Sequence, residues 1–129
     1  MSEPVWVRRD VLELLHSESI ATHGGADGMR DEGLFESALS RPQNLFAYEG
    51  TTDVARLAAS YAFGLAKNHA FVDGNKRVAF IAAVLFLRLN GHRLTADPAQ
   101  ATLAMLSVAA GTFNEDDMAA WVRKNIAPL

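Results

Sequence analysis

His69-Ala70-Phe71-Val72-Asp73-Gly74-Asn75-Lys76-Arg77 is the stretch on which the reading of this chain turns. Nine consecutive residues hold a potential base, an acid, a glycine, an amide and two cations. The segment that follows, Val78 to Leu89, is almost wholly apolar and predicts a buried helix. The polar run therefore stands at a helix N-terminus. There, unpaired backbone N–H groups and the positive end of the helix dipole favour an anion, typically phosphate. Lys76 and Arg77 oppose that dipole, since cations favour the other helix end, and their placement predicts that they serve a ligand.

Outward from this run the chain reads as helices joined by short polar turns. Asp10 is placed as the cap of a first helix carrying Val11, Leu12, Leu14 and Leu15. The glycine-rich stretch His23 to Gly28 predicts an irregular loop. Asp31 caps a short helix with Leu34, Phe35, Ala38 and Leu39, which Arg41-Pro42 is expected to stop. Thr52 or Asp53 opens a longer helix through Leu57, Tyr61, Phe63 and Leu65, ending at His69. The helix from Asn75 ends at Asn90-Gly91. Asp97-Pro98 opens another, to about Ala110, and Asn114 caps the last. Only His92 to Thr95 reads as a short extended piece. The expectation is an all-α, compact single domain of about six helices over residues 1–129.

Bulk properties bound the function. The chain has 129 residues, half of them hydrophobic, enough for one core. A net charge of −3 argues against a general nucleic-acid binder. There is no cysteine, which excludes disulfides and thiolate chemistry. The first residues, Met1 to Trp6, lack a basic-then-apolar leader pattern, and the apolar run Val78 to Leu87 is too short to span a bilayer. A cytoplasmic protein without direct membrane or nucleic-acid partners is the expectation.

Each polar residue of the run has a chemical reading. A neutral imidazole at His69 can take a proton from an attacking hydroxyl; alone, it could equally cap the preceding helix. A carboxylate beside bound phosphates commonly holds Mg²⁺, which is the reading of Asp73, against a surface ion pair or a cap. Gly74 lets backbone approach a ligand closely or takes positive φ. Asn75 is read either as the N-cap of the next helix or as a phosphate or metal contact. Lys76 offers a point charge and Arg77 a planar fork, both suited to phosphates. Lys67, two residues before His69, is a further basic candidate for nucleotide contact. The scattered His16, His23 and His92 show no zinc-ligand spacing. There is no P-loop and no nucleophile-elbow serine.

The run resembles the signature of the Fic/Doc superfamily, and specifically its Doc (death-on-curing) toxin branch. The Fic branch usually reads His-Pro-Phe-x-Asp/Glu-Gly-Asn-Gly-Arg and transfers AMP. Lys76 stands at the eighth position, where Fic has glycine, and this is the Doc mark. His23-Gly24-Gly25, Gly28 to Leu34, Glu36-Ser37-Ala38 and Leu85 to Gly91 extend the resemblance along most of the chain. Ala70 departs from the Fic proline, and Gly74 is the Fic-like residue. The resemblance implies a Fic/Doc-type helical bundle and a type II toxin. Its activity would be that of an ATP-dependent kinase that phosphorylates a threonine of elongation factor Tu and so blocks translation. It assigns His69 as general base, Asp73 to Mg²⁺ and nucleophile orientation, and Gly74, Asn75, Lys76 and Arg77 to an anion-binding turn. Lysine for glycine in the phosphate cradle is a physical reason for ATP to lie with its γ-phosphate beside the histidine. AMP transfer to a hydroxyl side chain stands as the alternative enzyme. An inactive member acting by protein binding and a plain structural domain are the others.

Many Fic enzymes carry an inhibitory helix with a Ser/Thr-x-x-x-Glu pattern. No Ser or Thr of these 129 residues has Glu four positions on. The resemblance then implies an external brake, a small Phd-like antitoxin whose C-terminal segment enters a groove. Trp6, Leu45, Phe46 and Tyr48 are the expected apolar lining, with core packing as the competing reading. The stretch Leu45 to Thr52 is expected to act as a flap over the target segment.

Overall fold

The computed structural model describes residues 2–129. Its centre is a helical pair, α3 (Val54–Asn68) and α4 (Asn75–Leu89), joined by the polar run. Asp53 caps α3 by accepting from Ala55 N–H, and Leu57, Tyr61 and Leu65 then fall on one face at helical spacing. The alanines between them bury the remaining faces, so α3 is surrounded by α2 (Glu32–Glu49), α4, α5 (Pro98–Ala110) and α6 (Glu115–Lys124). α1 (Arg9–His23) lies against α4, with Leu12, His16 and Ile20 turned inward. Capping boxes at Asp97/Gln100 and Asn114/Asp117 fix the starts of α5 and α6. The all-α expectation of six helices is met. Among the described residues no helix is long and apolar enough to cross a membrane.

Three local expectations are corrected. α2 does not stop at Arg41-Pro42 but runs through it to Glu49. An interior proline costs about 3 kcal/mol. Here Phe35, Ala38, Leu39 and Pro42 form one buried stripe that the partly buried Leu45 extends, and burial outweighs the lost hydrogen bond. The expected flap at Leu45 to Thr52 is thus mostly the end of α2. It lies at the far end of α3 from His69, since Asn68 Nδ2 reaches Leu34 O near the start of α2. Asp10 is not the cap of α1, which starts at Arg9. The Arg8 guanidinium bonded to Asp10 holds that carboxyl below the usual range. The expected extended piece is present as β1 (His92–Leu94), and it pairs antiparallel with an unanticipated β2 (Ile126–Pro128), Leu94 opposite Ile126.

The expected groove residues divide. Trp6 stacks on Phe86 and meets Phe46 edge-on, both at 5.9 Å between ring centroids. Trp6 and Leu45 pack against the core. Tyr48 alone is open, 84% exposed.

Tyr61 supplies a pH prediction. It is fully buried, and its hydroxyl accepts from Val7 N–H at 3.1 Å. Burial pushes the phenol up to about 12 from its ordinary 10.0. A folded value above the unfolded one means that this stability is complete below the unfolded pKa and is lost as pH rises through the folded one. Alkaline titration is expected to remove about 2–3 kcal/mol between roughly pH 10 and 12. Tyr61→Phe should flatten that window in denaturant titrations, and an unchanged alkaline profile in the variant would contradict the assignment.

Candidate active site

The polar run forms a tight turn held by two separate segments, the stretch Gly28–Asp31 and α1. α3 ends at Asn68, and His69 takes the left-handed conformation at φ 50 and ψ 49, the only non-glycine residue with positive φ among those described. Such a placement costs on the order of 1–3 kcal/mol and persists only where surroundings enforce it. Arg30 enforces it, donating from Nε to His69 O at 2.8 Å. Arg30 N–H and Asp31 N–H both donate to Ala70 O, and Val72 N–H donates to Gly28 O. The Gly28–Asp31 segment therefore lies beside the run like a short strand, with Met29 bridged to Phe71. The His69 side chain remains exposed.

Asn75 resolves its two readings in neither direction. Gly74, at φ 77, is the N-cap of α4, and Asn75 is the first helical residue. Its buried carboxamide accepts from Phe71 N–H and donates to Phe71 O, each at 3.0 Å. The side chain is a brace for the turn, and only its backbone N–H remains to offer an anion.

The cations also separate. Arg77 donates to Ser19 O at 3.3 Å and to Gly24 O at 2.9 Å. It sits at the start of α4 but also at the C-terminal end of α1, where the dipole favours a positive charge. Its position is therefore explained in part without a ligand, contrary to the expectation from sequence. Lys76 is exposed and has no ion-pair partner among the described residues. Lys67 lies over the Phe63 ring at 6.0 Å and near Gly111, turned to the α5–α6 link and away from the turn; the geometry lends no support to a nucleotide contact there. Lys76 and Arg77 line one end of a cavity of about 380 Å³ between α1, α4 and α5. Phe80, Ile81 and Met105 give it apolar walls, with Ser19 and His23 at the α1 side.

Asp73 is exposed at the mouth of the turn, with Oδ1 accepting from Gly74 N–H at 2.8 Å. Its other oxygen faces Gly25, where an added Cβ would lie 2.6 Å from Oδ2. Gly25→Ala, at φ 114, is expected to destabilise the protein by about 1–3 kcal/mol and to displace the carboxylate. Gly24→Ala is the matched comparison, also at positive φ but with no atom within 4 Å of the new Cβ. Equal urea midpoints for the two would remove the Asp73 contact as a cause.

This cluster joins an exposed imidazole, an exposed carboxylate, a helix N-terminus and two cations in one turn. It can take a proton and neutralise a phosphate. A sequence profile of the Fic/DOC family matches residues 6–87, a span that contains the whole turn and both segments that brace it. The chain belongs to the Fic/DOC family. It is 42% identical over 98 residues to the protein kinase doc of Escherichia phage P1, covering 76% of this chain and 75% of that protein. It is 43% identical over 86 residues to the Toxin Doc of Mycolicibacterium smegmatis, covering 66% and 65%.

Two residues that brace this Fic/DOC turn escaped sequence reasoning. Arg30 carries no signal beyond its charge. His16 stood in plain view, at helical spacing between Leu12 and Ile20 on the buried stripe of α1, where a histidine needs a partner.

Proposed function

We propose that this chain is a Doc-type toxin and a protein kinase. It transfers the γ-phosphoryl group of ATP to a threonine hydroxyl of elongation factor Tu in the cytoplasm. The observation that carries the reading is the turn itself, with Lys76 at the position where the Fic signature has glycine. The names of the two relatives, a protein kinase and a toxin, support it.

In this reading His69 accepts the proton of the attacking hydroxyl. The new O–P bond forms as the bond to the β–γ bridging oxygen breaks, and ADP leaves. Lys76, the Arg77 guanidinium and the backbone N–H groups of Asn75 and Lys76 in the first turn of α4 hold the phosphates. Asp73 fits Mg²⁺. No cluster of three or more metal-ligating side chains exists among the described residues. Magnesium commonly needs only one or two carboxylates beside nucleotide phosphates and water, and Asp73 Oδ2 is available for this. When bound, the ion supplies charge neutralisation of the phosphates.

The proposed antitoxin groove differs from the one expected at Trp6, Leu45, Phe46 and Tyr48. The apolar cavity between α1, α4 and α5 is the better groove for a Phd-like C-terminal segment, because an occupant with an acidic side chain would cover Lys76 and Arg77 together. Such a segment would compete with ATP phosphates.

Incubation of elongation factor Tu with γ-labelled and α-labelled ATP in parallel tests the activity. Label from the γ position alone is the expected result. Label from the α position would make this an AMP-transferring enzyme, the reading that Gly74 keeps open. Label from neither would leave this target without support.

A further inference from the structure

His16 lies on α1, far in sequence from the catalytic turn, and is 1% exposed. Its ring stacks on Phe71 with centroids 3.8 Å apart, and its Nε2 is 2.7 Å from Asp73 O. A carbonyl oxygen only accepts, so Nε2 carries the hydrogen and donates. Nδ1 lies 3.8 Å from Asp27 Oδ1, beyond a direct hydrogen bond.

The carbonyl that His16 holds belongs to the Asp73–Gly74 peptide. The N–H of that same planar unit is the one that binds Asp73 Oδ1. Fixing one edge of the plane therefore fixes the other, and with it the Asp73 carboxylate. The backbone does not fix this plane by itself, because Gly74 tolerates both signs of φ and the peptide can turn over. Ring packing closes the remaining space, since a Cβ on Gly74 would lie 3.4 Å from His16 Nε2.

We infer that His16 is a positioning residue for the reaction: it locks the Asp73–Gly74 peptide and so aims the Asp73 carboxylate. Asp73 as the metal contact rests on the proposed function; the lock on the peptide does not.

The experiment compares His16→Leu, His16→Asn and His16→Gln with the parent protein. Leucine has no donor, asparagine is too short to reach Asp73 O, and glutamine places an amide nitrogen near the position of Nε2. Amide relaxation dispersion reads the lock directly. Exchange broadening is expected at Gly74 and Asn75 in the leucine and asparagine variants, and its loss in the glutamine variant. The dissociation constant of Mn²⁺ with ATP, by calorimetry, reads the consequence. It should weaken about tenfold or more without the donor, as loss of supporting contacts at metal sites commonly does, and recover with glutamine. Should the leucine variant fail to fold, the asparagine and glutamine pair decides. Sharp Gly74 signals without the donor would overturn the inference, as would broadening spread evenly through α1 and α3. A parent protein that binds no Mn²⁺–ATP would defeat the metal reading of Asp73, while the Gly74 signals would still decide the role of His16.

Discussion

Replacing His69 is expected to lower phosphoryl transfer about a thousandfold, the middle of the range for loss of a general base. Asparagine is the better substitute, because it tolerates the left-handed backbone that His69 adopts and an alanine would add strain of its own. The His69 side chain is exposed, and its backbone oxygen, not its ring, is what Arg30 grips. Melting temperature and ATP affinity should therefore stay near those of the parent. Single-turnover transfer from γ-labelled ATP checks the rate. A His69→Asn protein that retains transfer within tenfold would remove the imidazole from the chemistry.

Asn75 is expected to behave in the opposite way. Asn75→Leu keeps the volume and strips both hydrogen bonds, leaving Phe71 N–H and Phe71 O unpaired in the interior. Each buried group left without a partner costs about 1–3 kcal/mol, so the loss should be about 2–6 kcal/mol. For a chain of 129 residues this lowers the melting temperature by roughly 10 °C or more. Transfer should fall with it, because the loosened turn carries Asp73 and the start of α4. Calorimetry and the labelled-ATP assay on one preparation separate the possibilities. Lost transfer with an unchanged melting temperature would make Asn75 a ligand contact and not a brace.

The contrast between these residues explains what was legible in the sequence. Asp53, Asp97-Pro98 and Asn114 act on backbone within three residues, so their caps could be read directly. The apolar spacing of Leu57, Tyr61 and Leu65 placed α3 for the same reason. The helix through Pro42 could not be read, because tertiary burial outweighs the local rule. Nor could β2, whose three residues show no pattern until β1 lies beside them. In the site, the residue types of the motif pointed to phosphate chemistry. The division of labour within it did not show. Asn75 turns inward to Phe71, and Arg77 serves the carbonyls of α1. Both depend on neighbours that the chain brings together only on folding. His16 had a visible place on a helical stripe, but its partner, a main-chain carbonyl, leaves no mark in a sequence.

The contacts that shape the turn span long stretches of chain. His16 meets Asp73 across 57 residues, and Arg77 meets Ser19 across 58. Closing such loops is entropically costly, and contacts of this kind form only as the rest of the fold arrives. During synthesis the carbonyls and imidazole of α1 leave the ribosome long before the motif they restrain. A growing or half-folded chain thus has the motif residues without their arrangement. The arrangement on which the proposed chemistry depends would therefore appear late, once the segments on both sides of the motif have been made and packed together.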